Sequence, residues 1–216
     1  MEQLKLSQLY YLLATNPKAK ISSFSIEKRT SLLVSVLLEL KSNNFISIDN
    51  KKVKVVSDLP VEYNHLKPLY DYIREKKEVN LQKLSGDYLV SFTDKKINEL
   101  IESIGKSLNE IGLAKAKEIG IFKNHKMYIA EKETINKCVN FLKKELLESQ
   151  NVNETASIIY LLLDKSKLLN EYFSKFELKD LKGKMKNLFT SDNYKILKDI
   201  IDYIENIVVS LIVAST

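Results

Sequence analysis

The sequence lacks tryptophan and contains little cysteine, histidine, glycine and proline. Its 216 residues include one cysteine, two histidines, five glycines and three prolines. The single cysteine, Cys138, excludes an intramolecular disulfide and is typical of a reducing compartment. Because so few glycines and prolines interrupt the chain, long periodic segments remain, and these favour a mostly helical fold.

The usual signatures of metal and nucleotide sites are also missing. His65, His125 and Cys138 are too few for a zinc site of His and Cys ligands, and neither GxxxxGK[ST] nor GxGxxG occurs. We expect both histidines to be exposed structural residues. Cys138 lies on the apolar side of its helix and is expected to be a small buried hydrophobe. The sequence therefore predicts a protein that is not an enzyme and that binds no metal or cofactor.

No apolar run is long enough to cross a bilayer. The longest, IVVSLIVA at residues 207–214, falls far short of the roughly 20 residues that a transmembrane helix needs. The N-terminal segment does not resemble a secretory signal. We therefore expect a cytoplasmic protein.

The composition of the chain is typical of a globular protein, and its apolar residues recur at helical spacing. Hydrophobic residues make up 44% and charged residues 29%, which argues against disorder. A last helix begins near Ser191 and becomes apolar on every side over residues 207–213, so we expect it to be buried. The prediction is a mainly α fold: a single globular helical domain, residues 1–216, around a central apolar C-terminal helix, with short β-hairpins.

The stretch LLELKSNNFISIDNKKVKVV, residues 37–56, has the helix-then-hairpin layout of a winged-helix DNA binder, and the net charge of +6 favours anionic partners. The helix at residues 31–40, however, offers no basic or amide side chain for base edges. Its only charge is Glu39, which would repel phosphate. A winged-helix-like nucleic-acid binder is therefore a minor alternative, and we expect no nucleic acid partner.

Taken in order, several segments resemble the Golgi phosphoprotein 3 family: LYYLLA, LLVSVLLEL running into NFISID, SDLP, LSGDY, NEIGL and ASIIYLLLDKSKLLNEYF. The resemblance covers essentially the whole chain, and a chain that is nearly all domain is typical of a prokaryotic, single-domain member. It implies a helical domain around a central apolar helix and a peripheral membrane protein. Eukaryotic members bind phosphatidylinositol 4-phosphate on the cytosolic face of the Golgi and act as adaptors for glycosyltransferases.

Carried over by position, the resemblance implies a lipid-headgroup site at Phe24, Arg29, Lys95 and Lys96. The family's tryptophan falls on Phe24. One family arginine falls one turn from Arg29, and the arginine pair of a later helix falls one turn from Lys95 and Lys96. The family's arginines are thus out of register in this chain.

The family's membrane-inserting hairpin corresponds to IGIFKNHKMYIA, which carries Ile121, Phe122, Met127 and Tyr128 beside lysines. Apolar side chains flanked by lysines suit an interfacial wedge. The same pattern also suits a hairpin packed on its own core or on a second subunit, which would make a homo-oligomer.

Two hypotheses for the function remain open. The first is a non-enzymatic adaptor on the membrane surface that binds anionic phospholipid headgroups. The second is a soluble adaptor that binds protein clients and no lipid, its 34 basic residues merely solvated.

Overall fold

The computed structural model describes residues 4–15, 25–119 and 125–188, together with Asp199, Asp202, Tyr203 and Asn206. This part of the chain is mainly α-helical with two small antiparallel sheets, which confirms the predicted fold class. The predicted central helix at residues 207–213 lies outside the described residues. Among the helices that are described, none is both long and apolar enough to cross a membrane.

The elements follow one another as short helices and hairpins. The helices are α1 (Leu6–Ala14), α2 (Ile26–Ser42), α3 (Lys67–Lys76), α4 (Leu81–Leu89), α5 (Lys95–Glu110), α6 (Lys132–Lys143), α7 (Glu154–Lys165), α8 (Leu169–Tyr172) and α9 (Lys175–Leu188). A 3₁₀ turn spans Val61–Leu66, and a π-helical turn spans Lys144–Glu148. The strands are β1 (Ile46–Asp49), β2 (Lys52–Val55), β3 (Val79–Asn80), β4 (Lys115–Ile119) and β5 (His125–Ile129).

The short helix α1 lies at the centre of the described core. It packs against α2, α5, α6 and α7, and every residue from Ser7 to Ala14 is buried. A helix that is buried on all sides is normally apolar all round, but α1 carries Ser7, Gln8, Tyr10 and Tyr11. Its polar groups therefore need partners inside the protein.

The first hairpin forms where the sequence predicts it. Strand β1 pairs with β2 in the register Asp49↔Lys52, and the connecting residues Asn50 and Lys51 have φ values of 48° and 63°. Positive φ at both central residues is the geometry that joins strands through a two-residue turn. The sequence did not predict β3, whose two residues extend this sheet beside β2.

In the sequence, the helical spacing of Ile97, Leu100 and Ile104 predicts an apolar stripe, and Gly112 predicts the end of that helix through a positive φ. Helix α5 buries this stripe, and Gly112 follows its end with φ of 74°. On the same helix, Gly105 packs closely against two tyrosines. A methyl group there would lie 2.5 Å from Tyr128 Cδ2 and 2.7 Å from the Tyr11 hydroxyl oxygen.

We expect Gly105→Ala to destabilise the protein, because the added Cβ overlaps two buried tyrosines. Overpacking of this kind costs about 1–3 kcal/mol of the free energy of unfolding. Gly183→Ala is the matched control, since Gly183 is also helical but a Cβ added there would meet nothing within 4 Å. The control should gain up to about 1 kcal/mol from helix propensity. Urea unfolding measures both, and equal stabilities of the two variants would contradict this packing.

Candidate functional site

The beginning of α2 meets the beginning of α5 through an ion pair. Arg29, in the first turn of α2, places Nη1 2.7 Å from Asp94 Oδ2. Asp94 directly precedes α5 with φ of 51°, and its side chain does not cap the helix. The Arg29 side chain is mostly buried, and its Nε has no hydrogen-bond partner among the described residues. The pair therefore fixes where the two helix starts lie relative to each other.

Lys95 and Lys96, the first two residues of α5, directly follow Asp94, the partner of Arg29. We call Arg29, Lys95 and Lys96 the basic edge. The Lys95 side chain is 77% exposed, with Nζ 3.9 Å from Glu99 Oε1, an exposed pair of little energetic value. Lys96 Nζ lies 5.7 Å from the centroid of the Tyr72 ring, within cation–π range. The basic edge can attract an anion, aided by the positive end of the α5 dipole.

Of the four residues predicted to bind a headgroup, Arg29 of α2 lies at the start of α5, where Lys95 and Lys96 are. That they bind a headgroup stays a prediction. Asp94 already neutralises part of the Arg29 charge, which sequence reasoning missed. The fourth predicted residue, Phe24, lies outside the described residues.

A second residue that sequence reasoning missed is Phe92, in the connection between α4 and α5. Its relative exposure is 104%, above that of any other exposed large hydrophobic residue described, the next being Val61 at 79%. The signal in the sequence was a lone phenylalanine inside the polar stretch SFTDKK, which matches no helical stripe. Phe92 lies two residues before Asp94, beside the basic edge.

Of the four residues predicted to form a membrane or oligomer hairpin, the structure describes Tyr128 and Met127. Tyr128 is buried against Gly105, and its backbone oxygen accepts a hydrogen bond from the Tyr11 hydroxyl at 3.0 Å. Met127 is half-buried. Ile121 and Phe122 lie outside the described residues. Tyr128 therefore packs on the protein's own core and is not available as part of a membrane wedge.

The prediction that His65 is exposed is wrong. His65 and Glu39 are both almost fully buried, and His65 Nε2 donates to the Glu39 carboxylate at 2.9 Å. The other Glu39 oxygen accepts from the backbone N–H of Ser7 at 2.7 Å. Sequence reasoning missed the pair because its members are 26 residues apart and belong to different elements. The described structure does not cover the side chain of His125.

His65 also lines an open cleft of about 510 Å³ between the 3₁₀ turn and α5. A carboxylate that orients an imidazole is a common part of acid–base catalysis. The Ser107 hydroxyl in this cleft donates to the backbone oxygen of Ile104 at 2.8 Å and accepts from Gln8 Nε2 at 3.0 Å. Since those bonds hold Ser107 in a structural role, the cleft supports binding better than nucleophilic catalysis. That the protein is not an enzyme stays a prediction.

Cys138 is fully buried, and desolvation raises the pKa of its thiol to about 12. The thiolate is therefore strongly disfavoured at neutral pH. This confirms the prediction of a buried hydrophobe. Among the described residues no group of three or more His, Cys, Asp and Glu side chains could hold a metal ion.

No family model matches the chain, and no curated protein matches it. The resemblance to the Golgi phosphoprotein 3 family therefore stays a prediction. Any function must accordingly be inferred from the residues themselves.

We expect Glu39→Ala to lower the free energy of unfolding by about 3–5 kcal/mol, because it leaves buried His65 and the Ser7 N–H without their partner. The matched control is Glu110→Gln, at an exposed carboxylate 4.0 Å from Lys106, which should change stability by less than about 0.5 kcal/mol. Chemical unfolding measures both variants.

The double variant Glu39→Ala/His65→Ala sharpens this test. If the two side chains act as a pair, its loss of stability falls well short of the sum of the two single losses. Additive losses would contradict the coupling of Glu39 and His65.

Proposed function

We propose that this protein associates with the cytosolic surface of a membrane and binds anionic phospholipid headgroups at the basic edge. The observation that supports this most is the ion pair between Arg29 and Asp94, which brings Arg29 to the start of α5, where Lys95 and Lys96 follow. Basic side chains close to a helix N-terminus attract phosphate.

The charges also set the strength of the interaction. Each lysine near an anionic surface contributes about 1 kcal/mol, while Asp94 and Glu99 offset part of the positive charge. Binding at the basic edge is therefore weak, reversible and sensitive to salt. A headgroup with a phosphomonoester, as in phosphatidylinositol 4-phosphate, should be attracted more strongly than one with a phosphodiester alone, because the monoester carries about −1.5 to −2 charges.

A soluble protein adaptor is the second candidate, and the cleft beside His65 favours it. Val61 and Ile111 line this cleft and are 79% and 57% exposed. Glu62, Lys106 and Glu110 also line it. Exposed apolar side chains with a polar rim suit a protein partner.

Vesicle co-sedimentation tests the lipid proposal. The wild-type protein should pellet with phosphatidylcholine vesicles that contain phosphatidylserine or phosphatidylinositol 4-phosphate, and not with phosphatidylcholine alone. The variant Lys95→Glu/Lys96→Glu should bind anionic vesicles at least about tenfold more weakly, because two favourable contributions of about 1 kcal/mol each are lost.

The control variant Lys106→Glu/Lys137→Glu changes the net charge by the same amount at two exposed lysines, on α5 and α6. It should bind nearly as well as the wild type. Equal losses in both variants would mean that net charge alone drives binding. A wild-type protein that pellets with no vesicle would overturn the lipid proposal and leave the soluble adaptor.

A further inference from the structure

We propose that Phe92 is a membrane anchor, whose ring enters the interfacial layer of the bilayer while the basic edge binds headgroups. This inference rests on the proposed lipid function and adds to it a named apolar contact. It differs from the wedge expected at the second hairpin, since Phe92 belongs to the connection between α4 and α5.

Phe92 is held at the tip of a tight turn. The backbone N–H of Asp94 donates to the backbone oxygen of Ser91 at 3.2 Å, which closes a four-residue turn with Phe92 and Thr93 at its apex. The ends of the connection are fixed, because Leu89 on one side and Ile97 on the other are buried in the core. The ring therefore projects from a pre-organised frame and needs no loop rearrangement to insert.

The surroundings of the exposed ring favour a membrane over other partners. An isolated exposed apolar residue is ordinary on a protein surface, but Phe92 combines full exposure with Lys95 and Lys96 three and four residues further along the chain. Lysines reach anionic headgroups while an adjacent aromatic ring occupies the boundary of the acyl layer. An exposed ring beside lysines therefore fits an anionic bilayer as its partner.

A second exposed phenylalanine, which lies between Lys175 and Lys179 but away from the basic edge, provides the control. Phe176, near the start of α9, is 75% exposed. It is followed by Glu177, whose carboxylate binds Lys143 at 2.8 Å. The same side chain therefore occurs on the surface away from the basic edge.

Co-sedimentation with phosphatidylserine-containing vesicles separates the apolar contact from the charges. We expect Phe92→Ala to weaken binding about tenfold, because the variant loses an aromatic ring that would be partly inserted in the bilayer. The loss should persist at high salt, whereas the loss caused by Lys95→Glu/Lys96→Glu should shrink as salt screens the lysines. Phe176→Ala should bind as the wild type does. Thermal unfolding should be unchanged in both alanine variants, because both side chains are exposed.

The absence of tryptophan from the chain allows a direct measurement of insertion. Phe92→Trp introduces a single indole, whose emission should shift to the blue with anionic vesicles and be quenched by lipids with brominated acyl chains. Phe176→Trp should show neither effect.

The outcomes distinguish the inference from the function on which it rests. If the wild type pellets but Phe92→Ala binds equally well and Phe92→Trp shows no quenching, the anchor is overturned and headgroup binding stands. If the emission of Phe92→Trp shifts to the blue with rising protein concentration in the absence of vesicles, residue 92 lies in a contact between protein molecules. That result would also overturn the proposal that Phe92 is a membrane anchor. If the wild type pellets with no vesicle, both proposals fall.

Discussion

The buried N-terminus of α1 is the constraint on which the rest of the described structure depends. The first N–H groups of any helix lack partners within the helix, and burying them without an acceptor is costly. Here the Glu39 carboxylate of α2 accepts from the Ser7 N–H, and His65 of the 3₁₀ turn donates to the same carboxylate. A negative charge at a helix N-terminus is also favoured by the helix dipole. One buried side chain thus ties three elements together and satisfies a backbone N–H at the buried start of α1.

The position of the basic edge follows from this arrangement. Helix α2 carries Glu39 near its C-terminal end and Arg29 near its start, about 15 Å apart at 1.5 Å per residue. Helix α5 packs Gly105 against Tyr11 of α1 and carries Lys95 and Lys96 in its first turn. Because both helices are fixed against α1, their starts meet at the surface, and the Arg29–Asp94 pair closes the junction. The candidate site is therefore built on rigid elements.

The sequence predicts those parts of the fold that depend on local spacing. The stripe of α5, the end of that helix at Gly112 and the turn at Asn50 all follow from periodicity or backbone preference. Burial of His65 does not, since it depends on a carboxylate that only the tertiary fold brings close. The exposure of Phe92 is likewise a tertiary property: its polar neighbours in the sequence mark it as unusual, but only the packing of the adjoining helices shows that the ring is exposed. The same limit applies to the site, where the resemblance proposes Arg29 but does not reveal its partner Asp94.

The Arg29–Asp94 pair bears on how a headgroup would bind. An incoming phosphate would compete with Asp94 for Arg29, so one anionic acceptor would replace another and little free energy would be gained from the guanidinium. Asp94 makes no side-chain cap to α5, so its displacement would sacrifice no capping hydrogen bond. The net gain must then come from Lys95, Lys96 and the ring of Phe92. Lysines act as mobile point charges and impose little geometry, so this combination favours reversible attachment to an anionic surface over stereospecific recognition of one headgroup.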